Sequence, residues 1–279
     1  MSGTFLAAPY QQRALLAVVV LGVVAAVVGV HVVLRRLSFV ADAMSHTVLP
    51  GVVLANLAGV SLYAGALVAG VVTALLLGLP ARARRIGEDA AVAILLTGFF
   101  AVGVAVVSRG RSFATDLTGF LFGSLLTVRA DDLVLMTAIG GAAVVAVTLF
   151  HKELVLRAFD RAAAEAVGLP VARLDLLLDL AVAVVIVTAL RAVGTLLAVA
   201  FVITPAATAR RLGLAVVPSM VVAAVLAAVC GVAGLALSHE VGLRADVRIA
   251  PGATVVVLLS TVFVAVTLAM WWRNRVRAT

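Results

Sequence analysis

The chain has 279 residues, of which 65% are hydrophobic and only 12% are charged. A soluble domain is nearer half apolar and one quarter charged, so this composition excludes an ordinary soluble enzyme or binding domain. The formal charge of +8 then indicates membrane topology rather than nucleic-acid binding, and the single cysteine, Cys230, excludes an intramolecular disulfide.

The first half of the chain predicts four membrane spans. Apolar runs of about 18 residues or more are typical of an all-α, polytopic membrane protein. The first run covers about 14–34 and ends at a pair of arginines. Residues 37–81 are long enough for two helices of about 20 residues with a turn near 59–61, and a fourth span is predicted at about 88–108.

A predicted external segment and a predicted cytoplasmic loop separate the later spans. The external segment 109–131 contains the apolar stretch DLTGFLFGSLL, which is too short to cross the membrane and is expected to dip into it or to cap the external face. A span at about 132–151 follows. The cytoplasmic loop 152–173 mixes charge with Ala and Leu at helical spacing and stops at Gly168 and Pro170. This pattern predicts one short amphipathic helix that glycine and proline end.

The last four spans bring the predicted total to about nine. Two tight spans with a hairpin near 191–194 are predicted between 174 and 209, and two more at about 213–237 and 251–272. With the N-terminus outside, 14 of the 21 Lys and Arg residues lie in cytoplasmic segments, as the positive-inside rule requires. Eight spans are the alternative, because the segment around 39–51 has weak hydropathy.

That weak segment reads FVADAMSHTVLPG and holds the main candidate site. Asp42 and His46 are four residues apart, so a helix places both on one face. A carboxylate with an imidazole suits a divalent first-row cation, and ionisable groups inside a membrane are usually functional. The competing interpretation is an interhelical hydrogen-bond pair. Ser45 adds a hydroxyl or packs against the helix, and Pro50 is expected to break the helix and free carbonyls nearby.

Other polar residues near predicted helix ends have simpler interpretations. Glu88 and Asp89 begin a helix, where acidic residues are favoured by the helix dipole. Asp175 and Asp179 have the same interpretation, and His31 is predicted to lie at the membrane interface. The sequence contains no phosphate-binding G-x-x-x-x-G-K-[ST] loop, no H-E-x-x-H and no G-x-S-x-G, so catalysis or ATP binding by this chain itself is unsupported.

Four ordered segments resemble the membrane permease of bacterial ABC transporters that import manganese, zinc or iron. The hallmark of that family is similar to Asp42-Ala43-Met44-Ser45-His46 followed by Leu49-Pro50-Gly51, with Ala41 where glycine is expected. The other three similar segments are Glu88-Asp89-Ala90-Ala91, Asp116-Leu117-Thr118 and Thr204-Pro205-Ala206-Ala207-Thr208-Ala209-Arg210.

The resemblance implies a single permease domain over 1–279 in the bacterial cytoplasmic membrane, working as a homodimer. It implies a cytoplasmic ATPase partner that holds the ATP, an external metal-binding lipoprotein, a transported divalent metal and no permanent cofactor. Asp42 and His46 are then expected to bind the metal transiently. The pathway or gate is expected to include Ser45, Pro50, Glu88, Asp89 and Asp116. The ATPase is expected to dock on 152–173 with Glu165, Ala166 and Gly168 at its tip.

Two rival functions stay open at the level of sequence. A permease for metal chelates or cobalamin would have a wide, neutral path without an Asp and His pair. A secondary transporter would couple metal to protons through Asp42 and His46 and would work without an ATPase. The residues do not discriminate among manganese, zinc and iron, although the absence of Cys and Met ligands from the polar segment disfavours Cu(I).

Overall fold

The computed structural model describes residues 8–83, 88–108, 125–245 and 250–278. Within these ranges every regular element is a helix, which confirms the all-α prediction. The helices are α1 (Pro9–Leu34), α2 (Ser38–Thr47), α3 (Leu49–Leu57), α4 (Leu62–Ala83), α5 (Glu88–Val107), α6 (Ala130–Leu149), α7 (His151–Phe159), α8 (Arg161–Ala166), α9 (Val171–Arg211), α10 (Val216–Ala245) and α11 (Pro251–Ala278).

Seven apolar helical segments in the described ranges are long enough to cross a membrane. They are Pro9–Leu34, Ser38–Leu57, Asp89–Val106, Ala130–Leu149, Val193–Arg211, Val216–Gly242 and Pro251–Val276. Two further apolar segments fall outside this set. Leu62–Gly78 is shorter than a membrane span. The part of α9 before Gly194 carries charged residues near its start, which lower its hydropathy. The predicted count of nine spans is therefore not confirmed.

Helix α1 lies at the centre of the bundle and packs against α6, α9 and α10. Close approach occurs at its glycines, because the absent side chain lets the helices touch. A Cβ at Gly29 would overlap the Val202 carbonyl of α9, and a Cβ at Gly22 would lie 3.1 Å from the Ala227 methyl of α10. The apolar residues of α1 are buried on several sides, as expected for a helix surrounded by others.

Helix α9 consists of two arms that meet at Gly194, within the predicted hairpin. Gly194 has φ 76° and ψ 172°, which is not helical. Asp175 contacts Arg35 at the end of α1, and Ala206 faces Gly29 less than two turns earlier on α1. A straight helix would separate residues 175 and 206 by about 46 Å. The chain must therefore turn back at Gly194, where glycine tolerates the positive φ.

Helices α3 and α4 meet through four small residues spaced four apart. Gly51 and Ala55 of α3 face Gly65 and Ala69 of α4, and a Cβ on either glycine would overlap the carbonyl of the other. This arrangement is the small-xxx-small packing of membrane helices. It holds α3 close to α4 immediately after the polar segment that carries Asp42 and His46.

Contacts between distant segments agree with the predicted sidedness. Arg35, at the end of α1, and Arg157, in the loop 152–173, were both predicted to be cytoplasmic, and both contact Asp175. At the opposite end of the bundle, Gln11 of α1 lies 3.3 Å from His239 of α10, both in segments predicted to be external.

Gly65→Val should destabilise the protein by about 1–3 kcal/mol, because the new side chain must push α3 away from α4. Gly78→Val in the same helix is the matched control, since a Cβ there meets nothing within 4 Å. Thermal unfolding of the purified protein in detergent should show a lower midpoint for Gly65→Val alone. Equal midpoints would contradict the close packing of α3 on α4.

Cysteines placed at 161 and 131 should react with a membrane-impermeant thiol reagent from opposite sides of the membrane. Both positions are exposed, and the native Cys230 is buried and can be replaced by alanine. Position 161 should label only in inverted vesicles and position 131 only in intact cells. Labelling of both from one side would overturn the topology.

Candidate functional site

Asp42 and His46 occupy the accessible face of an otherwise buried helix. Both side chains of α2 are partly exposed, and they share this face with Phe39, whose exposure is 42%. The remaining positions between 40 and 47 are buried against neighbouring helices, chiefly α5 and α9. A carboxylate and an imidazole one turn apart therefore face outward from the packed part of this single chain.

The buried side of α2 explains the placement of Ser45. Ser45 is 1% exposed, and its hydroxyl donates a 2.7 Å hydrogen bond to the carbonyl of Asp42. The sequence left two roles open for this residue, and the structure places it in the packing and back-bonding role. Thr47 makes a similar 3.3 Å bond to the Met44 carbonyl.

The helix of the polar segment is interrupted at Val48, two residues after His46. Helix α2 ends at Thr47 and α3 begins at Leu49, with Val48 between them. Pro50 has no N–H to donate to the His46 carbonyl four residues earlier, so that carbonyl lacks its usual helical partner. Pro50 itself is buried against Gly103 of α5, where a Cβ would lie 3.3 Å from its ring. The interruption therefore falls where Pro50 predicts it, and Val48 keeps helical dihedral angles of φ −70° and ψ −26°.

Of the three predicted acidic pathway residues, only Asp89 has a described side chain, and it forms no metal-binding group with Asp42 and His46. Asp89 is exposed in the first turn of α5, as the helix-dipole interpretation expects. The side chain of Glu88 and all of Asp116 lie outside the described residues. The described ranges contain no group of three or more His, Cys, Asp or Glu residues that could hold a metal ion. One chain therefore offers a pair of ligands here.

The loop 152–173 forms two short helices rather than the single amphipathic helix predicted. Asp160 is extended, with φ −146° and ψ 100°, and its carboxylate accepts a 2.9 Å hydrogen bond from the N–H of Ala163. This N-cap ends α7 and begins α8, so the prediction of one continuous helix is wrong. The capping preference of Asp160 was the signal in the sequence.

The tip of this loop carries the three predicted docking residues. Glu165 pairs with Arg161 at 2.9 Å, and both side chains are 46% exposed. Ala166 and Gly168 are exposed, and Gly168 has φ +81°. The N–H of Gly168 bonds to the Glu165 carbonyl at 3.0 Å, which is the usual glycine ending of a helix.

Sequence reasoning missed an ionic cluster at the base of the bundle. Asp175 accepts two hydrogen bonds from Arg157, of 2.7 and 3.0 Å, and contacts Arg35 at 3.0 Å. His31 is 1% exposed and lies 3.3 Å from His151, so it is buried among the helices of the chain, and its depth at the membrane interface stays a prediction. Asp175 looked like an ordinary acid at a helix start, because its partners come from distant parts of the sequence.

The model of the ABC 3 transport family matches residues 7–270. The chain belongs to the ABC 3 transport family. This membership confirms the predicted family, its multi-pass membrane location and its role as the membrane subunit of a transport system.

Relatives in the ABC 3 transport family cover most of the chain. The "Manganese transport system membrane protein MntC" of Halalkalibacterium halodurans is 37% identical over 91% of this chain and 85% of its own length. The "Chelated iron transport system membrane protein YfeD" of Yersinia pestis is 36% identical over 84% of this chain and 78% of its own. A chain in the solved structure "PsaBC from Streptococcus pneumoniae in complex with Fab" has a TM-score of 0.80 and 32% identity, with 94% and 92% coverage.

Proposed function

We propose that this chain is the permease subunit of an ATP-driven importer for a divalent first-row metal ion. The observation that carries the proposal is the placement of Asp42 and His46 on the accessible face of a buried helix, beside a helix break. Relatives named for manganese and chelated iron transport support a metal as cargo.

The pair of ligands supports a site shared by two copies of the chain. A divalent first-row cation takes about four to six donors, and one copy supplies two strong ones from this motif. Two copies facing across a two-fold axis would supply two carboxylates and two imidazoles. Water or a backbone carbonyl such as that of His46 would complete the shell. The ion would then be held between the subunits and released as they separate.

Energy for transport would come from a separate ATPase subunit. The sequence lacks a phosphate-binding loop, and the exposed tip of α8 offers a surface for such a partner. An external metal-binding lipoprotein would deliver the ion to the opposite end of the bundle. In this arrangement ATP binding and hydrolysis would alternate the exposure of the Asp42 and His46 site between the two sides of the membrane.

Manganese is the first cargo to test, because several curated relatives carry that name. Zinc and iron accept the same carboxylate and imidazole donors and serve as competitors. A chelate permease would transport an intact metal complex and would tolerate loss of Asp42. A proton-coupled transporter would accumulate metal in liposomes on a pH gradient without the ATPase. Uptake of manganese by the reconstituted complex, measured with zinc and iron as competitors, distinguishes these three functions.

Asp42→Asn and His46→Ala should each abolish metal uptake. The first keeps the side-chain shape but removes the charge, and the second removes a nitrogen donor. Expression and ATPase assembly should stay normal. Ser45→Ala is the matched control, since it removes a hydroxyl on the same turn that bonds only to the helix backbone. The measurement is ATP-dependent manganese uptake into proteoliposomes, and wild-type uptake by both variants would refute the site.

Metal binding should also weaken as the pH falls, because a protonated imidazole cannot bind a metal ion. Equilibrium binding of manganese to the purified complex should show this loss in the parent protein. The His46→Ala variant should retain only weak binding, and that binding should depend less on pH. An unchanged pH profile in that variant would show that another group governs binding.

Gly168→Val should uncouple ATP hydrolysis from transport. Its φ of +81° is disfavoured for a β-branched residue, so the exposed tip of the docking loop must change shape. Gly59→Val is the control, because Gly59 has a similar φ of +67° in a turn predicted to lie on the external side. Uptake per ATP hydrolysed should fall for Gly168→Val alone. Normal transport and normal co-purification of the ATPase would contradict docking at this tip.

A further inference from the structure

Helix α7 is attached to the membrane helices near both of its ends. At its start, Nδ1 of His151 lies 3.3 Å from Nε2 of the buried His31 in α1. Near its other end, the Arg157 guanidinium donates to both carboxylate oxygens of Asp175 in α9. This short helix therefore links the tip of the cytoplasmic loop to the core of the bundle.

Asp175 joins three separate parts of the chain at one carboxylate. Besides the two bonds from Arg157 of α7, it contacts Arg35 at the end of α1 at 3.0 Å. The side chains are 3% exposed for Arg35 and 12% exposed for the other two. Charge-assisted bonds away from water are strong, and removing one partner leaves an uncompensated buried charge. Displacement of α7 is therefore resisted by α1 and α9 together.

A rigid joint connects Arg35 to the helix that carries the candidate metal ligands. Only residues 35–37 separate α1 from α2. Arg36 has φ 60°, its N–H bonds to Val33 at 3.1 Å, and the N–H of Leu37 bonds to Val32 at 2.9 Å. Asp42 lies four residues beyond Ser38, the first residue of α2, which is about 6 Å along that helix. A shift at Arg35 is therefore transmitted directly to α2.

We infer that Asp175 is a positioning residue that transmits movement of the loop α7–α8 to α1 and α2. In this role Asp175 acts through its contacts with Arg35 and Arg157 rather than on the metal ion or ATP. The inference rests on the proposed function for one element, the docking of an ATPase on the loop. The ionic contacts and the short joint supply the mechanical path from that loop to Asp42 and His46.

The test measures the reactivity of a cysteine placed in α2 and needs no transported metal ion. Phe39→Cys, one turn before Asp42 and 42% exposed in the native residue, is introduced into a Cys230→Ala background. The full complex with its ATPase is reconstituted in liposomes, and the alkylation rate is measured without nucleotide and with ADP and vanadate trapped on the ATPase after ATP hydrolysis. The parent rate should change with nucleotide. Asp175→Asn should lose this change while the complex stays assembled and still hydrolyses ATP.

Two further variants keep the result interpretable. Arg157→Lys keeps the charge but loses the bidentate contact, so it should reduce the nucleotide-dependent change in alkylation rate. If the Asp175→Asn complex fails to assemble, Arg157→Lys replaces it in the test. Asp131→Asn is the control, because that carboxylate is 88% exposed in its 3.8 Å pair with Arg129. This control should behave like the parent.

Several results would overturn the inference. One is an alkylation rate in the parent complex that is the same with and without nucleotide. Another is an unchanged response in both Asp175→Asn and Arg157→Lys. A third is that the variants lose complex assembly and ATP hydrolysis together, while the complexes that do assemble keep the nucleotide-dependent change in alkylation rate. That result would show a purely structural role for Asp175. If α2 responds through Asp175 but the complex carries no divalent cation, the proposed cargo is wrong and the inference about Asp175 stands.

Discussion

Close contact between helix backbones at glycine is the constraint on which this bundle depends. In a lipid bilayer the hydrophobic effect does not drive helices together, so van der Waals contact between them must stabilise the bundle. Gly29 of α1 allows contact with the Val202 carbonyl, and Gly51 and Gly65 allow α3 and α4 to touch. These contacts bring α1 against both α9 and α10 and anchor the segment after α2.

Tight packing also determines where polar groups can lie. Most of α2 is buried, so its two ionisable residues share the face that stays accessible. An uncompensated charge in an apolar interior is costly, and the buried Asp175 is accordingly paired with Arg35 and Arg157. Asp42 and His46 face outward from the packed chain, whereas Asp175 joins elements of the same chain.

In the proposed arrangement, the metal site and the docking surface for the ATPase would lie at different ends of a short chain of contacts. The loop tip around Gly168 is exposed, α7 is held by His31 and Asp175, and α1 passes into α2 within three residues. Such a path suits a transporter whose site must change exposure without making chemical contact with ATP. Membership of the ABC 3 transport family is in accord with this separation.

Local patterns in the sequence determined the helical class, most helix positions, the turn at Gly194, the break before Pro50 and the pairing of Asp42 with His46 on one face. Each depends on residues within a few positions, through hydropathy, glycine conformation, proline chemistry or helical spacing. Family resemblance then identified the transport class. The split of the loop at Asp160 was also local, and its capping signal was overlooked.

Tertiary structure alone decided which residues are buried and which distant charges meet. Asp175 and Arg35 are 140 positions apart, and no local sequence pattern at either residue predicts their ion pair. His31 is buried because α7 folds back onto α1, which hydropathy near residue 31 does not reveal. Ser45 and His46 are neighbours in sequence, yet packing against other helices buries Ser45 and leaves His46 accessible. Local rules determine the conformation of each segment, whereas burial and ion pairing depend on contacts that form only when the helices assemble.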